Sequence, residues 1–284
     1  MDRHEVTAPV ASDGDGLREC IDPRRRFAGV ARLYGADALR RFQQAHVAVV
    51  GVGGVGSWAA EGLARSAIGR ITLIDLDIIV ESNVNRQVHA VDGEFGKAKV
   101  SAMAQRIRTI NPDCEVREID DFVTPENVDS LLGGGFDYLI DAIDQVRSKV
   151  AMIAWSRRCA VPLITAGGAG GQIDPTRIAV ADLAVTIQDP LLAKVRALLR
   201  KEHGFTREAR KKFGIPAVFS SEPLRHPERS DSCEPPRTLT GLSCAGFGSA
   251  VCVTAPFGLL AAGEVLKHLA FSSPQGAGGR RPGE

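Results

Sequence analysis

Aromatic residues, paired cysteines and net charge are all scarce in this sequence of 284 residues. Only 5% of the residues are aromatic, which argues against a stacking platform for single-stranded nucleic acid. Lysine and arginine number 35 against 34 aspartates and glutamates, so the formal net charge is +1. The chain therefore has no general electrostatic attraction to nucleic acid, and any such binding must come from local patches. The length suffices for one large domain or two small ones.

The six cysteines are isolated from one another, and none of them forms a CxxC pair. Their spacing indicates neither a disulfide framework nor a structural zinc site with cysteine pairs as ligands. The first residues, MDRHEVTAPVASDGDG, are polar and contain no hydrophobic segment typical of a signal peptide. We therefore predict a protein of the reducing cytoplasm.

Charge is absent from residues 242–263, which read LSCAGFGSAVCVTAPFGLLAAG. The length of this run meets the criterion for a membrane-spanning helix. The run is, however, rich in glycine, serine, threonine and alanine, and it contains Pro256. We predict a buried helix of the core or of a subunit interface and expect no membrane partner, with a membrane span as the alternative.

Short apolar runs, such as VAVV and ITLID, alternate with helix-like segments such as KAKVSAMAQRIRTI, which ends at an Asn-Pro stop signal. This alternation predicts an α/β fold of Rossmann-like type, with a mostly parallel sheet and helices on both faces. We expect a single domain over residues 23–270 that ends in a C-terminal apolar helix. Residues 1–22 and 271–284 are predicted to be disordered, and residues from about 203 to 240 to form a mobile crossing loop.

A glycine-rich segment, GVGGVG, follows the first apolar run and precedes a helix. Gly51, Gly53 and Gly56 satisfy the GxGxxG pattern, in which glycines permit a tight turn and the helix N-terminus offers free N–H groups to a phosphate. Gly54 is an additional glycine in the same turn. Asp75 ends the next apolar run, where a carboxylate can accept hydrogen bonds from ribose hydroxyls. These residues predict a nucleotide site, but they do not distinguish NAD from ATP.

Polar residues in the segment DLDIIVESNVNRQ favour ATP. They directly follow the second apolar run, and a cluster of amides and a guanidinium there suits a triphosphate because arginine stabilises charge on phosphate oxygens. A dehydrogenase has no need of such a cluster. The candidates are Asp77, Asn83, Asn85, Arg86 and Gln87.

Charged residues further along the chain support ATP as well. Lys97 and Lys99, in the segment GKAK, open the next helix, from which an ammonium group can reach the phosphates. Asp144 follows the strand expected at the switch point of the sheet, where a carboxylate can hold Mg²⁺ between phosphates. An NAD-dependent oxidoreductase is one alternative. A non-catalytic nucleotide-binding protein is another, but it would not need Arg86 or Asp144.

Together the motifs resemble those of the ubiquitin-activating-enzyme-like adenylyltransferases, which include bacterial enzymes that adenylate sulfur-carrier proteins. The shared set is GxGGxG, DxD, SNxxRQ, a helix lysine and DAxD, and the resemblance covers residues 26–190 and the C-terminal apolar segment. Within this family, the segments RFAGVARLYG, NVNRQVHA, DDFVTPENV, TAGGAGGQIDPT and TIQDPLLAKVR are similar to members that act on N6-threonylcarbamoyladenosine in tRNA.

This resemblance implies ATP-dependent adenylation of the carboxylate of N6-threonylcarbamoyladenosine, followed by intramolecular cyclisation with loss of water. It implies that Arg86, Lys99 and Asp144 are catalytic, with Asp144 binding Mg²⁺ and Asp75 the ATP ribose. The residues implied to contact ATP are Gly51, Gly53, Gly54, Gly56, Asp75, Asp77, Asn83, Arg86, Gln87 and Lys99. The implied partners are tRNA, a second copy of the chain in a homodimer, and a sulfur-transfer protein.

The sequence departs from the family pattern in two places. Carrier-protein adenylyltransferases hold zinc with two CxxC pairs, which this chain lacks. Adenylation of the C-terminus of a ubiquitin-like carrier protein is therefore the less favoured alternative. Many members also supply an arginine from the N-terminal arm of the partner subunit. Arg26 and Arg32 both lie near that place, and neither aligns cleanly.

Two further features leave alternatives open. Cys244 is a candidate nucleophile by analogy with thioester-forming members of the family, and Cys233, in the expected mobile loop, is a weaker candidate because no base is visible near it. A urea nitrogen of the substrate can itself close the ring, so we favour a structural role for Cys244. Basic residues at 24–26 and within 194–212 are candidate contacts to tRNA phosphates, and the alternative for them is a solvated helix face.

Overall fold

The computed structural model describes residues 23–208, 211–225 and 247–271, so nearly all of both ends expected to be disordered lies outside it. The strands are β1 His46–Val50, β2 Arg70–Ile74, β3 Glu115–Ile119, β4 Tyr138–Asp141, β5 Leu163–Ala166, β6 Ile178–Asp182 and β7 Pro216–Ser220. The helices are α1 Pro23–Arg26, α2 Ala28–Tyr34, α3 Ala36–Gln44, α4 Gly56–Ala64, α5 Lys99–Ile110, α6 Val128–Leu132, α7 Val146–Cys159, α8 Pro190–Glu202 and α9 Val251–Phe271.

The strands form one seven-stranded sheet in the order β3-β2-β1-β4-β5-β7-β6. Neighbouring strands are parallel except β6 and β7, which are antiparallel. The direction of strand succession reverses between β1 and β4, where Val49 pairs with Ile140. The connections that leave these two strands diverge and open a crevice, which is where ligands bind in sheets of this type. The predicted Rossmann-like α/β fold is confirmed.

Successive side chains of each strand point to opposite faces of the sheet and pack into two separate hydrophobic cores. Val47 and Val49 of β1 pack on the face covered by α3, α4, α5 and α9, whereas Ala48 and Val50 pack on the face covered by α6, α7 and α8. Every residue of β1 is buried. A strand covered on both faces needs apolar residues at successive positions, which explains why β1 reads as a continuous apolar run.

Helix α9 lies against α4 with small residues at the contact. An ideal Cβ added to Gly258 would lie 2.2 Å from the carbonyl oxygen of Val55, and one added to Gly62 would lie 3.1 Å from Cβ of Ala262. The glycines therefore permit the two helices to approach closely. Within the described part of the chain, no helix is long and apolar enough to cross a membrane. Residues 242–246 of the segment expected to form this helix lie outside the described residues.

The last two strands of the sheet, β6 and β7, were not predicted from the sequence. Strand β7 lies within residues 203–240, which were expected to form a crossing loop, and it pairs with β5 through Thr165 and Ala217. Its sequence, PAVFS, is too short to show a periodic pattern, so only its pairing identifies it. Residues 226–240 of the expected loop are outside the described residues. The basic segment 194–212 is helical only as far as Glu202, where α8 ends.

Candidate functional site

A cleft of about 740 Å³ opens at the carboxyl ends of β1, β2, β4 and β5. The turns that follow these strands line it, together with residues at the N-terminal end of α9. The structure therefore brings to one place side chains that are distributed over several segments of the chain. The sequence-predicted residues that line the cleft are Gly51, Gly53, Gly54, Asp75, Asp77, Asn83, Arg86, Gln87, Lys99 and Asp144.

Two glycines shape the turn between β1 and α4 for different reasons. Gly51 has a φ of 85°, in the left-handed region, and an added Cβ would lie 2.9 Å from Cγ2 of Ile143. Gly56 is the first residue of α4 and is buried, and an added Cβ would lie 1.7 Å from the carbonyl oxygen of Gly51. Gly56 therefore lies where α4 packs against the turn, and it does not line the cleft.

We expect Gly56→Ala to lower the free energy of unfolding by about 1–3 kcal/mol, because the added methyl group overlaps the backbone of the turn. Gly53→Ala is the matched control, since its Cβ would meet Nε2 of Gln87 only at 4.0 Å. We expect that change to alter the free energy of unfolding by less than about 1 kcal/mol. Urea unfolding followed by circular dichroism measures both variants, and equal losses would contradict a packing role for Gly56.

The carboxylate of Asp75 is built into the cleft floor at the end of β2. Its Oδ2 accepts a hydrogen bond from the backbone N–H of Val52 at 2.6 Å, and its Oδ1 accepts one from the backbone N–H of Asp77 at 2.9 Å. Burial raises the pKa of Asp75, and the nearby charge of Lys99 opposes this rise. Both oxygens retain a second lone pair, so the carboxylate can also accept hydrogen bonds from a ligand.

Lys99 lies almost completely buried at the start of α5, with Nζ 2.7 Å from Oδ2 of Asp77. The Asp77 side chain is 57% exposed, so one partner of the pair remains solvated. The backbone N–H of Lys99 also donates to the carbonyl oxygen of Asp77 at 3.0 Å. Asp77 therefore holds the ammonium group at the cleft, and a phosphate oxygen in the cleft would compete with Asp77 for it.

The guanidinium of Arg86 is held next to the glycine turn. Its Nη1 donates to the carbonyl oxygen of Ser82 at 2.8 Å and to Oδ1 of Asn85 at 2.9 Å. The aliphatic part of the side chain covers Gly54, where an added Cβ would lie 3.1 Å from Cγ of Arg86. Burial lowers the pKa of Arg86, but an arginine remains cationic at neutral pH.

Two amide side chains complete this part of the cleft. Oδ1 of Asn83 accepts a hydrogen bond from the backbone N–H of Val80 at 3.2 Å. Gln87 is buried, and its Oε1 has no hydrogen-bond partner in the described structure. Buried polar atoms are nearly always hydrogen-bonded, so this acceptor marks a position where a donor from a ligand would be favourable.

Asp144 is half-buried in the connection between β4 and α7, at the switch point of the sheet. Among the described residues, no group of three or more His, Cys, Asp or Glu side chains could hold a metal ion. Mg²⁺ is commonly bound by one or two carboxylates together with the phosphates of a substrate. Asp144 therefore fits a magnesium site in which a nucleotide supplies the other ligands.

Beneath the cleft lies a buried ionic network in which the sequence motifs include Asp141 but not its partners Lys149 and Thr165. Nζ of Lys149, in α7, lies 3.0 Å from Oδ1 of Asp141 and 3.0 Å from Oγ1 of Thr165. Thr165 in turn donates to Oδ2 of Asp141 at 2.7 Å. The charge of Lys149 also acts on Asp189, whose carboxylate accepts a hydrogen bond from the backbone N–H of Gly168 at 2.9 Å. The network therefore supports the turn after β5 that forms one wall of the cleft.

A sequence signal for this network existed. Lys149 shares a helix face with Ile153 and Ser156, at spacings of four and seven residues, and all three are buried. A lysine on an apolar helix face needs a partner, so it should have prompted a search for a carboxylate. Thr254 and Ser249 also line the cleft, but no local pattern marks them because they belong to a distant segment.

His89 is a buried histidine close to the cleft, and neither of its ring nitrogens has a hydrogen-bond partner in the described structure. Burial, reinforced by the charges of Lys99 and Arg106 and opposed by Glu94, lowers its pKa from 6.5 to about 4. Between these two values the unfolded chain binds a proton that the folded chain does not. His89 therefore destabilises the fold progressively as the pH falls through this range.

We expect the stability difference between wild type and His89→Leu to depend on pH. As the pH falls from 7 to 4, the wild type should lose about 3 kcal/mol of unfolding free energy more than the variant, because leucine has no proton to bind. Urea denaturation at closely spaced pH values measures the difference. A pH-independent difference would contradict the lowered pKa of His89.

Several other sequence candidates lie away from the cleft. Nη1 of Arg26 donates to the carbonyl oxygen of Thr109 at 3.1 Å and to that of Ile110, at the end of α5 opposite to Lys99. Arg26 therefore caps α5 of its own chain, while Arg32 is exposed. Cys233 and Cys244 lie outside the described residues.

The glycine turn, the acidic residue at the end of β2 and the cleft at the switch point define a nucleotide-binding protein with a Rossmann-like fold. The model of the ThiF family matches residues 25–278, and the chain belongs to that family.

The chain is 51% identical over 246 residues to the tRNA threonylcarbamoyladenosine dehydratase of Haemophilus influenzae, covering 86% of this chain and 93% of that protein. It is 53% identical over 251 residues to the protein of the same name from Escherichia coli, covering 87% and 94%. The crystal structure of E. coli tRNA N6-threonylcarbamoyladenosine dehydratase in complex with ATP superposes with a TM-score of 0.78 at 52% identity, over 87% of this chain and 94% of that chain.

Proposed function

We propose that this protein catalyses the ATP-dependent cyclisation of N6-threonylcarbamoyladenosine in tRNA. The observation that carries the proposal is the cleft that Arg86, Lys99 and Asp144 line together with a glycine turn, in a chain 51–53% identical to tRNA threonylcarbamoyladenosine dehydratases over nearly their whole length. The E. coli relative has been crystallised with ATP and with AMP. In the proposed reaction ATP is the substrate, and AMP is the product released in the cyclisation step.

ATP would lie across the glycine turn with its ribose on Asp75. The two oxygens of Asp75 are fixed by backbone N–H groups, so the carboxylate is oriented before a ligand arrives. The phosphates would meet the amides of Asn83 and Gln87 and the cations Arg86 and Lys99, all of which line the same cleft. Because Arg86 and Lys99 are already positioned in the cleft, their positive charges would lower the activation free energy of adenylation by stabilising the negative charge that develops on the α-phosphate and on pyrophosphate.

Mg²⁺ is part of the proposal, with Asp144 as its protein ligand and phosphate oxygens completing the site. When bound, it would neutralise charge on the departing pyrophosphate. The position of Asp144 beside the glycine turn supports this role.

The proposed chemistry converts a poor electrophile into a good one. An oxygen of the substrate carboxylate attacks the α-phosphorus of ATP, and the bond to pyrophosphate breaks. A urea nitrogen of the same substrate then attacks the adenylated carbonyl, AMP leaves, and the nitrogen loses its proton. The substrate thereby loses one water while ATP becomes AMP and pyrophosphate. Because nucleophile and electrophile belong to one molecule, an effective molarity of about 10⁵ M or more is available, and no protein nucleophile is required.

Transfer RNA would contact basic residues on α8 and on the segment that follows it. Two arginines there are engaged within the chain: Arg196 donates to Thr186, and Nε of Arg200 donates to the carbonyl oxygen of Thr206 at 3.2 Å. The other described cations of this segment are exposed, with Lys211 in an exposed ion pair with Glu208 at 3.8 Å, and they can neutralise phosphates, which would make binding depend on salt. These exposed cations are Lys194, Lys201, Arg207, Lys211 and Lys212.

A homodimer in the cytoplasm is also part of the proposal. Exposed apolar side chains on the segment after β2 support it, because such groups mark interaction surfaces. A sulfur-transfer protein as a further partner rests on the sequence resemblance. The exposed side chains are Ile78, Val80, Val84 and Val91, each between 41% and 56% exposed.

One experiment tests the proposed function. The protein is incubated with α-labelled ATP, Mg²⁺ and total tRNA, and the tRNA is then digested and its nucleosides are analysed. The expected result is AMP release that depends on tRNA, together with loss of one water from N6-threonylcarbamoyladenosine. AMP formation only with a ubiquitin-like carrier protein would overturn the proposal in favour of carrier adenylation. A rise in NADH fluorescence on titration without ATP binding would overturn both.

A further inference from the structure

The N-terminal turn of α9 forms a wall of the cleft that the nucleotide contacts proposed above leave unused. Thr254, in this turn, lines the cleft and is 3% exposed, and its Oγ1 has no hydrogen-bond partner among the described residues. A helix threonine can donate to the carbonyl oxygen three or four residues earlier, but Oγ1 of Thr254 bonds neither that of Val251 nor that of Ala250. The carbonyl oxygen of Ala250 already accepts from the backbone N–H groups of Val253 and Thr254. The hydroxyl therefore lacks a protein partner at a position that borders the cleft.

Asn85 fixes this turn to the segment that carries Arg86. Nδ2 of Asn85 donates to the carbonyl oxygen of Ser249 at 2.7 Å, and the backbone N–H of Val251 donates to the carbonyl oxygen of Asn85 at 3.0 Å. Oδ1 of Asn85 accepts a hydrogen bond from Arg86. The start of α9 and the guanidinium thus form one connected unit.

The glycine turn has two sides with different surroundings. On one side, Gly51 meets Ala142 and Ile143, in the connection that leads to Asp144. On the other side, an ideal Cβ at Gly54 would lie 3.1 Å from Cγ of Arg86 and 3.5 Å from Cβ of Thr254. Attacking and leaving oxygens in phosphoryl chemistry lie roughly in line across the phosphorus. If pyrophosphate departs on the side of Asp144, an in-line attack would bring the carboxylate from the side of the turn where Gly54 and Thr254 lie.

We propose that the N-terminal turn of α9 forms the subsite for the substrate carboxylate, with the hydroxyl of Thr254 as a hydrogen-bond donor to it. The inference rests on the proposed function, because it assigns a place to the carboxylate that is adenylated. The charge at the subsite suits an anion, since the 21-residue helix directs its positive end there and has no acidic residue in its first turn. Oε1 of Gln87, buried without a partner in the same cleft, is available to the urea N–H groups that follow the carboxylate.

The test compares Thr254→Val, which removes the hydroxyl at nearly constant volume, with Thr254→Ser, which keeps it. Two anticodon stem-loops serve as probes, one carrying N6-threonylcarbamoyladenosine and one carrying its carboxamide analogue, each with α,β-methylene ATP present. We expect Thr254→Val to weaken binding of the carboxylate stem-loop about tenfold and to leave binding of the carboxamide stem-loop and of the nucleotide unchanged. Thr254→Ser should bind the carboxylate stem-loop within about twofold of wild type. Thr109→Val, on α5 outside the cleft, is the control for a threonine substitution as such.

The outcomes separate the two proposals. If wild type cyclises the carboxylate stem-loop and Thr254→Val still prefers it over the carboxamide as strongly as wild type does, the subsite is overturned and the proposed function stands. If wild type neither binds nor cyclises the carboxylate stem-loop, the proposed function is overturned, and the subsite with it. A loss in Thr254→Val that Thr254→Ser restores supports the subsite.

Discussion

Replacing Asp144 by asparagine is expected to reduce the rate of AMP formation by at least about 100-fold while leaving the fold intact. The amide keeps the shape of the side chain but removes the charge that would hold Mg²⁺ against the phosphates, and a group that stabilises charge in the transition state commonly contributes a factor of about 10²–10³. Asp144 is half-buried in a connection, not in a core cluster, so stability should change little. Single-turnover AMP formation and thermal unfolding measure the two effects.

A second readout separates loss of the metal from loss of the nucleotide. Wild type should bind ATP more tightly as Mg²⁺ is added, whereas Asp144→Asn should lose this dependence and keep its affinity for ATP without metal. Asp129→Asn is the control, because Asp129 pairs with Arg158 on α7 and lies outside the cleft. Arg86→Ala should lower AMP formation to a similar degree with any amount of Mg²⁺, since it removes a fixed cation beside Gly54. Retained turnover in either Asp144→Asn or Arg86→Ala would contradict the proposed site.

The elements that the sequence predicts correctly are those whose information is local. Strand β1 is buried on both faces and reads as an apolar run, and α5 ends at the Asn-Pro signal, so each is visible within about a dozen residues. Several residues at the cleft share one property: Gly51 and Asp75 directly follow a strand, and Lys99 begins a helix. Since parallel strands end at the same edge of a sheet, their carboxyl-terminal neighbours converge without further information.

Information that depends on distant pairing was not predictable. Strand β7 is recognised only through its pairing with β5 and with β6, which runs antiparallel to it. Thr254 reaches the cleft because α9 packs on α4 at Gly258, a contact between segments almost two hundred residues apart. Gly56 satisfies a nucleotide motif, yet its place in the structure is explained by a backbone contact with Gly51. A sequence motif shows which residues occur together, but the packing of the fold determines which of them line the cleft.

Replacing Lys149 by methionine is expected to lower the free energy of unfolding by about 3–5 kcal/mol, because it leaves the carboxylate of Asp141 buried without its counter-charge. Both side chains of this ion pair are fully buried, so water cannot compensate for the loss. The affinity for ATP should fall as well, since the network supports the Gly167–Gly168 turn through Asp189. Urea denaturation and ATP titration of the same samples measure the two effects.

Two comparisons decide whether the loss comes from the unpaired charge. Adding Asp141→Asn to Lys149→Met removes that charge and should recover part of the lost stability, which a simple loss of packing would not allow. Arg158→Met breaks the pair with Asp129, whose side chains are 56% and 71% exposed, and should cost less than about 1 kcal/mol. If Lys149→Met cost no more than Arg158→Met, the buried network would not stabilise the fold. The support of the cleft wall would then have to come from the hydrogen bonds of Asp189 alone.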